Sequence, residues 1–359
     1  MPPLVVDLAG PLLWSTCPPA HRTVPCSSSV CKVANWYRSP ASCPYSDGGR
    51  PGSGDRGCAC AAYPYNPVSG QCGRGDVAAV PLAANATDGK NPLFPVSFSA
   101  FASCAPSGLL ASLPSGVAGV AGMSRLPLSL PSQVASSLKV ERQFALCLPA
   151  SGGGGDGAAI FGGGPFQLLA APPMEIAEGL RRNPVPLLKN PKNGAYYLRV
   201  TGIAVNLEAV PIPPRALDLD VPPWHGRRHA EHRRAVHHAS GPTFTARCSG
   251  RFDAATSGIP SAAAVRPFET CYRASALGTT RLGFAVANID LVLGGGRNWT
   301  LPGGSSLVQV DEQTVCFAFL EMMGTSPAAA DSPAIVIGGF QMENNLLLFD
   351  LEKGTLGIR

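Results

Sequence analysis

The chain has 359 residues, of which 14% are charged, and its formal net charge at pH 7 is +5. With 41 glycines and 36 prolines, it is divided into short apolar runs. This composition excludes long amphipathic helices, and no apolar run is long enough to span a bilayer. It favours short strands joined by tight turns, in about two domains.

The N-terminal region combines an apolar strand with a cysteine-rich stretch. Leu4–Trp14 has the pattern of a buried strand and a turn, whereas the residues up to about Cys72 have too little apolar content to pack without crosslinks. Seven of the 12 cysteines lie here, at spacings that do not match zinc motifs: Cys17, Cys26, Cys31, Cys43, Cys58, Cys60 and Cys72. We therefore predict disulfides and an extracellular protein.

Two N-glycosylation sequons agree with secretion. They begin at Asn85 and Asn298, which are the candidate glycosylation sites. No signal peptide is present, because Leu4–Val6 already has the pattern of a buried strand. We expect that the N-terminus has been cut away.

Apolar alternation predicts further strands on both sides of a linker near residues 170–190. In the first half they cover residues 77–82, 96–101, 143–148 and 158–161. In the second half they cover residues 196–205, 282–293 and 315–319, followed by a strand, a helical turn and another strand over 333–338 and 345–350. The chain is therefore predicted to form two all-β lobes, residues 1–170 and 190–359.

Four segments resemble signature segments of the pepsin-like aspartic proteases. Leu4–Ala9, with Leu12–Trp14 and Cys17, resembles their first active-site strand. The other three resemble the end of the first lobe's repeat, the opening strand of the second lobe and its closing motif: Gly119–Gly122 with Leu128–Gln133, Tyr196–Val205, and Ile335–Gly339 with Asn345 and Phe349–Asp350. The resemblance implies an all-β, bilobal pepsin-like aspartic protease fold with two β-barrel-like lobes.

Two further phrases narrow the resemblance. Ala62–Pro67 and Ile160–Pro165 are similar to the TAXI-type xylanase inhibitors of cereals and to their inactive globulin-like plant relatives. This similarity implies a secreted, monomeric defence protein that binds microbial endo-1,4-β-xylanases, with no cofactor, no metal and no membrane partner. A globulin-like storage or binding protein is an alternative from the same relatives.

The residues that carry aspartic proteolysis are altered. That reaction requires two carboxylates that share one proton, each in an Asp-Thr/Ser-Gly loop. Asp7 is retained, but Leu8 replaces the hydroxyl residue and Ala9 replaces the glycine. None of the second-half aspartates considered has suitable neighbours: Asp218, Asp220 and Asp253. We predict that the dyad is not intact and that Asp7 is a vestige; an active aspartic-type endopeptidase is the alternative.

Residues 221–251 do not match the rest of the chain. Within 225–251 lie five of the six histidines, and six arginines against one glutamate, an excess equal to the net charge of +5. The positive charge is therefore local, and no nucleic-acid partner is predicted. Three interpretations stay open: a metal site formed by His225, His229 and His232 on one helix face, a polyanion-binding tract, and out-of-frame translation.

The out-of-frame interpretation has a specific basis in the codons. Those allowed for Gly226–Arg233, read one base later, permit Gly-Gly-Val-Met-Leu-Ser-Thr, which resembles the inhibitor family at this point. The family pattern resumes at Phe252–Ala255. We hypothesise two compensating frameshifts, in a pseudogene or an incorrect gene prediction. Sequencing the transcript across codons 215–255 tests this, and a continuous frame in expressed protein would refute it.

The resemblance also assigns the remaining cysteines. Cys271 and Cys316 are expected to form the second-lobe disulfide. Cys248 lies inside the anomalous segment, which leaves an odd number that fit the family. The chain stops at Arg359, before the C-terminal tail in which the family has another cysteine, so one first-lobe cysteine, Cys147, is expected to lack its partner.

The same comparison points to an inhibitory loop. The family's apolar specificity residue falls near Arg281, and neighbouring Leu282 can substitute for it if the loop shifts. The histidine of the family's tail, which meets the catalytic carboxylates of the xylanase, has no counterpart. We therefore predict weak or no inhibition by this chain.

Overall fold

The computed structural model describes residues 3–35, 58–87, 93–150, 157–168, 174–190, 193–214, 217, 242–320 and 334–359. Strands predominate in that part of the chain, so the predicted all-β class is confirmed. Its helices are too short or too polar to cross a membrane.

The elements of the first half are short, apart from one long hairpin. The strands are β1 (Leu4–Asp7), β2 (Leu13–Ser15), β3 (Ala61–Ala62), β4 (Gly75–Ala86), β5 (Phe94–Cys104), β6 (Gly119–Gly122), β7 (Gln143–Cys147) and β8 (Ala158–Phe161). The helices are α1 (Ser29–Ala34) and α2 (Leu130–Leu138).

The elements of the second half are also short. Its strands are β9 (Gln167–Leu168), β10 (Met174–Glu175), β11 (Val185–Leu188), β12 (Tyr197–Leu198), β13 (Val200–Val205), β14 (Glu208–Ala209), β15 (Ser261–Ala262), β16 (Cys271–Arg273), β17 (Thr279–Thr280), β18 (Gly283–Phe284), β19 (Ile289–Leu293), β20 (Arg297–Leu301), β21 (Leu307–Gln309), β22 (Thr314–Phe317), β23 (Leu346–Asp350) and β24 (Thr355–Ile358). The helices are α3 (Ala177–Arg182), α4 (Pro242–Ala255), α5 (Gly303–Ser306) and α6 (Gly339–Met342).

A six-stranded sheet forms the first lobe, in the order β1-β6-β2-β5-β4-β3. The hairpin of β4 and β5 stays in register from Asp76 opposite Cys104 to Ala86 opposite Phe94. Its base carries buried side chains, whereas its far end is exposed, as the loss of apolar residues toward Asn85 indicates. Trp14 of β2 is buried in the core of this lobe.

Disulfides hold the cysteine-rich stretch onto that sheet, as the composition predicts. The described pairs are Cys17–Cys104, Cys26–Cys58 and Cys31–Cys60, and Cys72 is also disulfide-bonded. Crosslinks that close loops of this length each add about 2–4 kcal/mol to stability. They replace the apolar core that this stretch lacks.

A second six-stranded sheet joins the two halves, in the order β12-β11-β24-β23-β7-β8. Strands β7 and β23 come from opposite ends of the chain and pair through five residues each. On this sheet the ring of Phe144 stacks on that of Phe349 with centroids 4.6 Å apart, and Tyr196 lies 4.8 Å from Phe349. The lobes therefore share one layer of backbone hydrogen bonds.

The second lobe has two further four-stranded sheets, β14-β13-β19-β20 and β15-β16-β22-β21. Helix α4 packs against its core through Cys248 and Phe252, which are buried. Arg247 donates a hydrogen bond to the carbonyl of Pro211, and Arg251 pairs with Glu208. The end of the segment predicted to be anomalous is thus helical and packed, whereas residues 218–241 lie outside the described residues.

The predicted strand over residues 333–338 is wrong for its described part. Residues 334–338 make no strand, although α6 and β23 follow as the pattern predicts. Ile335 and Ile337 are partly buried against the second-lobe core. The alternation of apolar residues here therefore reflects the packing of side chains against the core and not the pairing of a strand.

Candidate functional site

Asp7 lies at the end of β1, where the strand runs parallel to β6 and Asp7 is opposite Gly122. Its carboxylate accepts a hydrogen bond from the amide of Ala9 at 3.0 Å. Its carbonyl accepts from the amides of Gly10 at 3.1 Å and Met123 at 2.8 Å. The backbone at this point therefore forms a tight loop around a half-buried carboxyl group.

The close backbone approach in this loop is made by Gly10. A Cβ atom on Gly10 would lie 2.7 Å from Cα of Gly122, and one on Gly122 would lie 2.6 Å from the carbonyl oxygen of Gly10. No side chain fits at either position. A glycine is thus present at this close approach, one residue after Ala9, whereas Leu8 offers no hydroxyl group.

The chemistry of Asp7 is that of a lone carboxyl group in the described part of the chain. Burial raises its pKa, and the amides of Ala9 and Gly10 oppose that effect by stabilising the charged form. Two of the second-half candidates, Asp218 and Asp220, lie outside the described residues.

The third second-half candidate, Asp253, is on helix α4 and has a structural partner. The hydroxyl of Tyr272 donates to its carboxylate at 2.5 Å, and Thr256 donates to the same hydroxyl at 3.3 Å. Asp253 therefore ties the end of α4 to β16. Neither its position in a helix nor its partner fits the active-site loop of an aspartic protease.

The two loop residues singled out in the sequence, Arg281 and Leu282, form the turn between β17 and β18. The hydroxyl of Thr280 donates to the carbonyl of Gly283 at 3.0 Å and accepts from the amide of Leu282 at 3.1 Å. Both turn side chains are exposed, and Leu282 is 65% exposed.

Helix α5 also supports this hairpin through a backbone hydrogen bond. The amide of Gly304 donates to the carbonyl of Leu282 at 2.8 Å, and Gly283, at a φ of 98°, lies in the left-handed region. A Cβ on Gly283 would lie 2.3 Å from Gly304, so only glycine fits. This bracing holds a cation and an apolar side chain at the tip of a small hairpin, which suits recognition of another protein.

The remaining cysteines divide into one pair and two free thiols. Cys271 and Cys316 form a disulfide between β16 and β22, the pair that the family resemblance implies. Cys147 is unpaired and exposed, which agrees with the sequence prediction. Cys248 is unpaired and buried, and burial raises the pKa of its thiol to about 12.

Asn66 has a structural role that the sequence motifs above do not include. This fully buried residue donates from its amide to the carbonyls of Leu109 and Ala111, both at 2.8 Å, and accepts from the amides of Val68 and Ser69. It anchors the loop of residues 65–72, which also binds the indole of Trp14 through the carbonyl of Tyr65. The run Asn66-Pro67-Val68-Ser69-Gly70 is a turn signal that could have predicted this loop.

The candidate glycosylation sites both lie on strands with their asparagines exposed. Asn85 is near the end of the long β4–β5 hairpin, and Asn298 is on β20 of the second lobe. Among the described residues, no group of three or more histidines, cysteines or carboxylates is arranged to hold a metal ion. The candidate metal ligands His225, His229 and His232 lie outside those residues.

Comparison with known proteins gives a consistent relationship over the whole chain. The family model "Xylanase inhibitor N-terminal" matches residues 2–163, and "Xylanase inhibitor C-terminal" matches residues 195–359. The chain is 47% identical to "Chitinase CLP" of Oryza sativa subsp. japonica, covering 99% of this chain and 82% of the relative. It is 31% identical to "Probable aspartic proteinase GIP2" of Nicotiana benthamiana, covering 99% and 81%.

Solved structures agree with the sequence relatives. The chain superposes on the protein edgp with a TM-score of 0.77 at 29% identity, covering 99% of this chain and 87% of that one. It superposes on the basic 7S globulin of soybean with a TM-score of 0.70 at 26% identity, covering 99% and 86%. The predicted bilobal pepsin-like fold is confirmed.

Proposed function

Because the chain belongs to the xylanase-inhibitor family, on a pepsin-like fold, we propose that it is a non-catalytic protein that binds a microbial endo-1,4-β-xylanase in plant defence. The observation that supports this most is the braced hairpin that exposes Arg281 and Leu282. Four described disulfides fit an extracellular protein, and we propose that it acts there as a monomer.

The loss of catalysis is supported by the loop around Asp7. A dyad needs two carboxylates whose loops hydrogen-bond to each other through hydroxyl groups, but Leu8 has none to offer. The backbone of the loop is intact through Gly10. A protein that keeps the fold but loses this hydroxyl can retain its surface for binding while it loses the activated water.

The binding proposal assigns different roles to the two hairpin residues. Leu282 supplies the apolar contact, since its side chain is 65% exposed on a rigid turn. Arg281 weakens the contact, because a guanidinium placed where the family has an apolar residue must lose its hydration without a matched partner. The proposed binding is therefore weak, as the sequence predicts.

A titration of a family-11 xylanase with the purified chain tests these roles. Burying a leucine side chain contributes about 1.5–3 kcal/mol, so Leu282→Ala should weaken binding by roughly 10- to 100-fold. Arg281→Leu should strengthen both binding and inhibition. Leu207→Ala is the matched control, because Leu207 is an exposed leucine on a different hairpin turn, and it should leave binding unchanged.

The titration has outcomes that contradict the proposal. Equal binding by Leu282→Ala and the parent chain would show that the hairpin does not carry the contact. Nanomolar inhibition by the unaltered chain would refute its weakness.

Proteolysis is the competing function. It is favoured by the retained carboxyl group of Asp7 and by the likeness to the Nicotiana benthamiana protein named a probable aspartic proteinase. An acid protease cleaves a denatured protein substrate at low pH, and pepstatin blocks the cleavage. We expect no pepstatin-sensitive cleavage.

Chitin hydrolysis is a further alternative, because the relative from Oryza sativa is named "Chitinase CLP". Glycoside hydrolysis generally uses two facing carboxyl groups. The two buried aspartates of the described residues each have one carboxylate oxygen in a structural hydrogen bond, since Thr300 donates to Asp290 and the amides of Glu352 and Lys353 donate to Asp350. We expect no hydrolysis of colloidal chitin.

Storage is the third alternative, from the likeness to the soybean globulin. It requires no specific partner. Recovery of a xylanase by the immobilised chain, and its loss with Leu282→Ala, would separate specific binding from storage.

A further inference from the structure

A cavity of about 460 Å³ lies on the outer face of the second-lobe sheet β14-β13-β19-β20. Two rows of paired residues cross this face: Gly202, Val292 and Asn298 in one, and Ala204, Asp290 and Thr300 in the other. Because residues two apart on a strand point to the same side, all six belong to one face. The depression exists because Gly202 and Ala204 give β13 almost no side-chain volume on this face.

The inner part of the cavity carries one polar group. Asp290 lines it and is only 4% exposed. Thr300 donates to its Oδ1 at 2.5 Å and is the one described residue that hydrogen-bonds to this side chain. Oδ2 can therefore accept a hydrogen bond from a neutral donor that enters the cavity.

The sequon that begins at Asn298 forms part of the cavity wall. Asn298 lines the cavity and is exposed, and Thr300, the hydroxyl residue of the sequon, is the partner of Asp290. Asn298 and Asp290 are diagonal neighbours across β19 and β20, a spacing of about 7–8 Å between Cα atoms. A group attached to Asn298 would thus lie beside the carboxylate of Asp290.

We propose that the first N-acetylglucosamine of a glycan on Asn298 folds back into this cavity and acts as part of the second-lobe structure. Its apolar ring face would cover Val292, and a hydroxyl or acetamide N–H would donate to Asp290 Oδ2. A volume of about 460 Å³ is in the range of about 300–1,000 Å³ in which proteins hold small ligands. The inference does not depend on xylanase binding.

The attachment is ordinary N-glycosylation in the secretory pathway. Nδ2 of Asn298 forms a bond to C1 of the sugar, the C1–O bond to the lipid pyrophosphate donor breaks, and one amide proton is released. The sequon at Asn85 undergoes the same reaction on an exposed hairpin. It therefore serves as an internal control.

Expression in yeast, with mass spectrometry of the glycopeptides, tests the proposal in two steps. Under native conditions, an amidase that removes N-glycans should release the Asn298 glycan at least about tenfold more slowly than the Asn85 glycan, since a tenfold rate difference needs only about 1.4 kcal/mol of packing. Trimming to a single N-acetylglucosamine should leave the unfolding temperature unchanged. Asn298→Gln should lower it by about 2–4 °C, whereas Asn85→Gln should not.

A cavity-filling variant separates packing from mere shielding by the sugar chain. A Cβ on Gly202 would meet only Val292, at 3.9 Å, so a side chain can begin there, and the methyl groups of Gly202→Val would project into the site of the sugar. This variant should make release from Asn298 as fast as release from Asn85. Gly202→Ala, which fills less of the cavity, should have an intermediate effect. An unmodified Asn298, equal release rates in the parent chain, or no effect of Gly202→Val would each overturn the proposal.

Discussion

At the scale of single residues, Asp7 is a partly buried carboxyl group in a tight loop that contains no hydroxyl side chain. The close contact between Gly10 and Gly122 preserves the backbone crossing, and the amide of Ala9 still binds the carboxylate. Leu8, however, cannot donate a hydrogen bond to a second loop. What remains is a carboxyl group whose burial disfavours its charge.

This burial predicts a pH-dependent cost that Asp7→Asn should remove. Burial raises the pKa of Asp7 above its ordinary value of 3.8, so the folded state holds a proton more tightly than the unfolded state does. The Asp7 carboxyl therefore destabilises the fold increasingly as pH rises through and above that value. Asparagine keeps the acceptor for Ala9 and has no charge.

Urea unfolding at pH 3, 5 and 7 measures this effect. The stability gained by Asp7→Asn over the parent chain should be smallest at pH 3 and largest at pH 7. A gain that is the same at all three values, or a loss that grows with pH, would contradict the role of burial.

At the scale of elements, the loop of residues 65–72 depends on one side chain. Asn66 satisfies the buried carbonyl of Leu109, the partly buried carbonyl of Ala111 and two amides of its own loop. Asn66→Ala leaves these groups without partners and should cost about 1–3 kcal/mol. Ser69→Ala, in the same loop, loses one exposed 3.3 Å contact and should cost less than about 0.5 kcal/mol.

Chemical unfolding of the two variants checks this prediction. Equal stabilities of Asn66→Ala and Ser69→Ala would mean that the loop does not rely on Asn66. Proteolysis that begins within residues 65–72 only in Asn66→Ala would support the anchoring directly.

Most strands could be predicted from the sequence, because alternation reports one buried face. Residues 143–148 and 158–161 agree with β7 and β8 to within one residue. The predicted strand over 282–293 is instead two strands, β18 and β19, separated by residues 285–288. The turn that precedes β18 depends on the close approach of Gly283 to Gly304 of α5. Such a contact depends on residues distant in sequence, and so does the cavity above Gly202, which no local pattern indicates.

At the scale of the whole molecule, the shared sheet couples the two lobes. Strands β7 and β23 pair along their length, and the hydroxyl of Tyr196 donates to the carbonyl of Met123 at 2.7 Å. Arg125 donates to the carbonyls of Leu188 and Asn190 in the connection between the lobes. These contacts join the two lobes into one framework.

We propose that this framework binds a glycanase and does not cut it. Native mass spectrometry of the chain mixed with a family-11 xylanase at acid pH tests both parts in one spectrum. We predict a one-to-one complex whose mass equals the sum of two intact proteins. Xylanase fragments, or two intact proteins that never associate, would contradict the account.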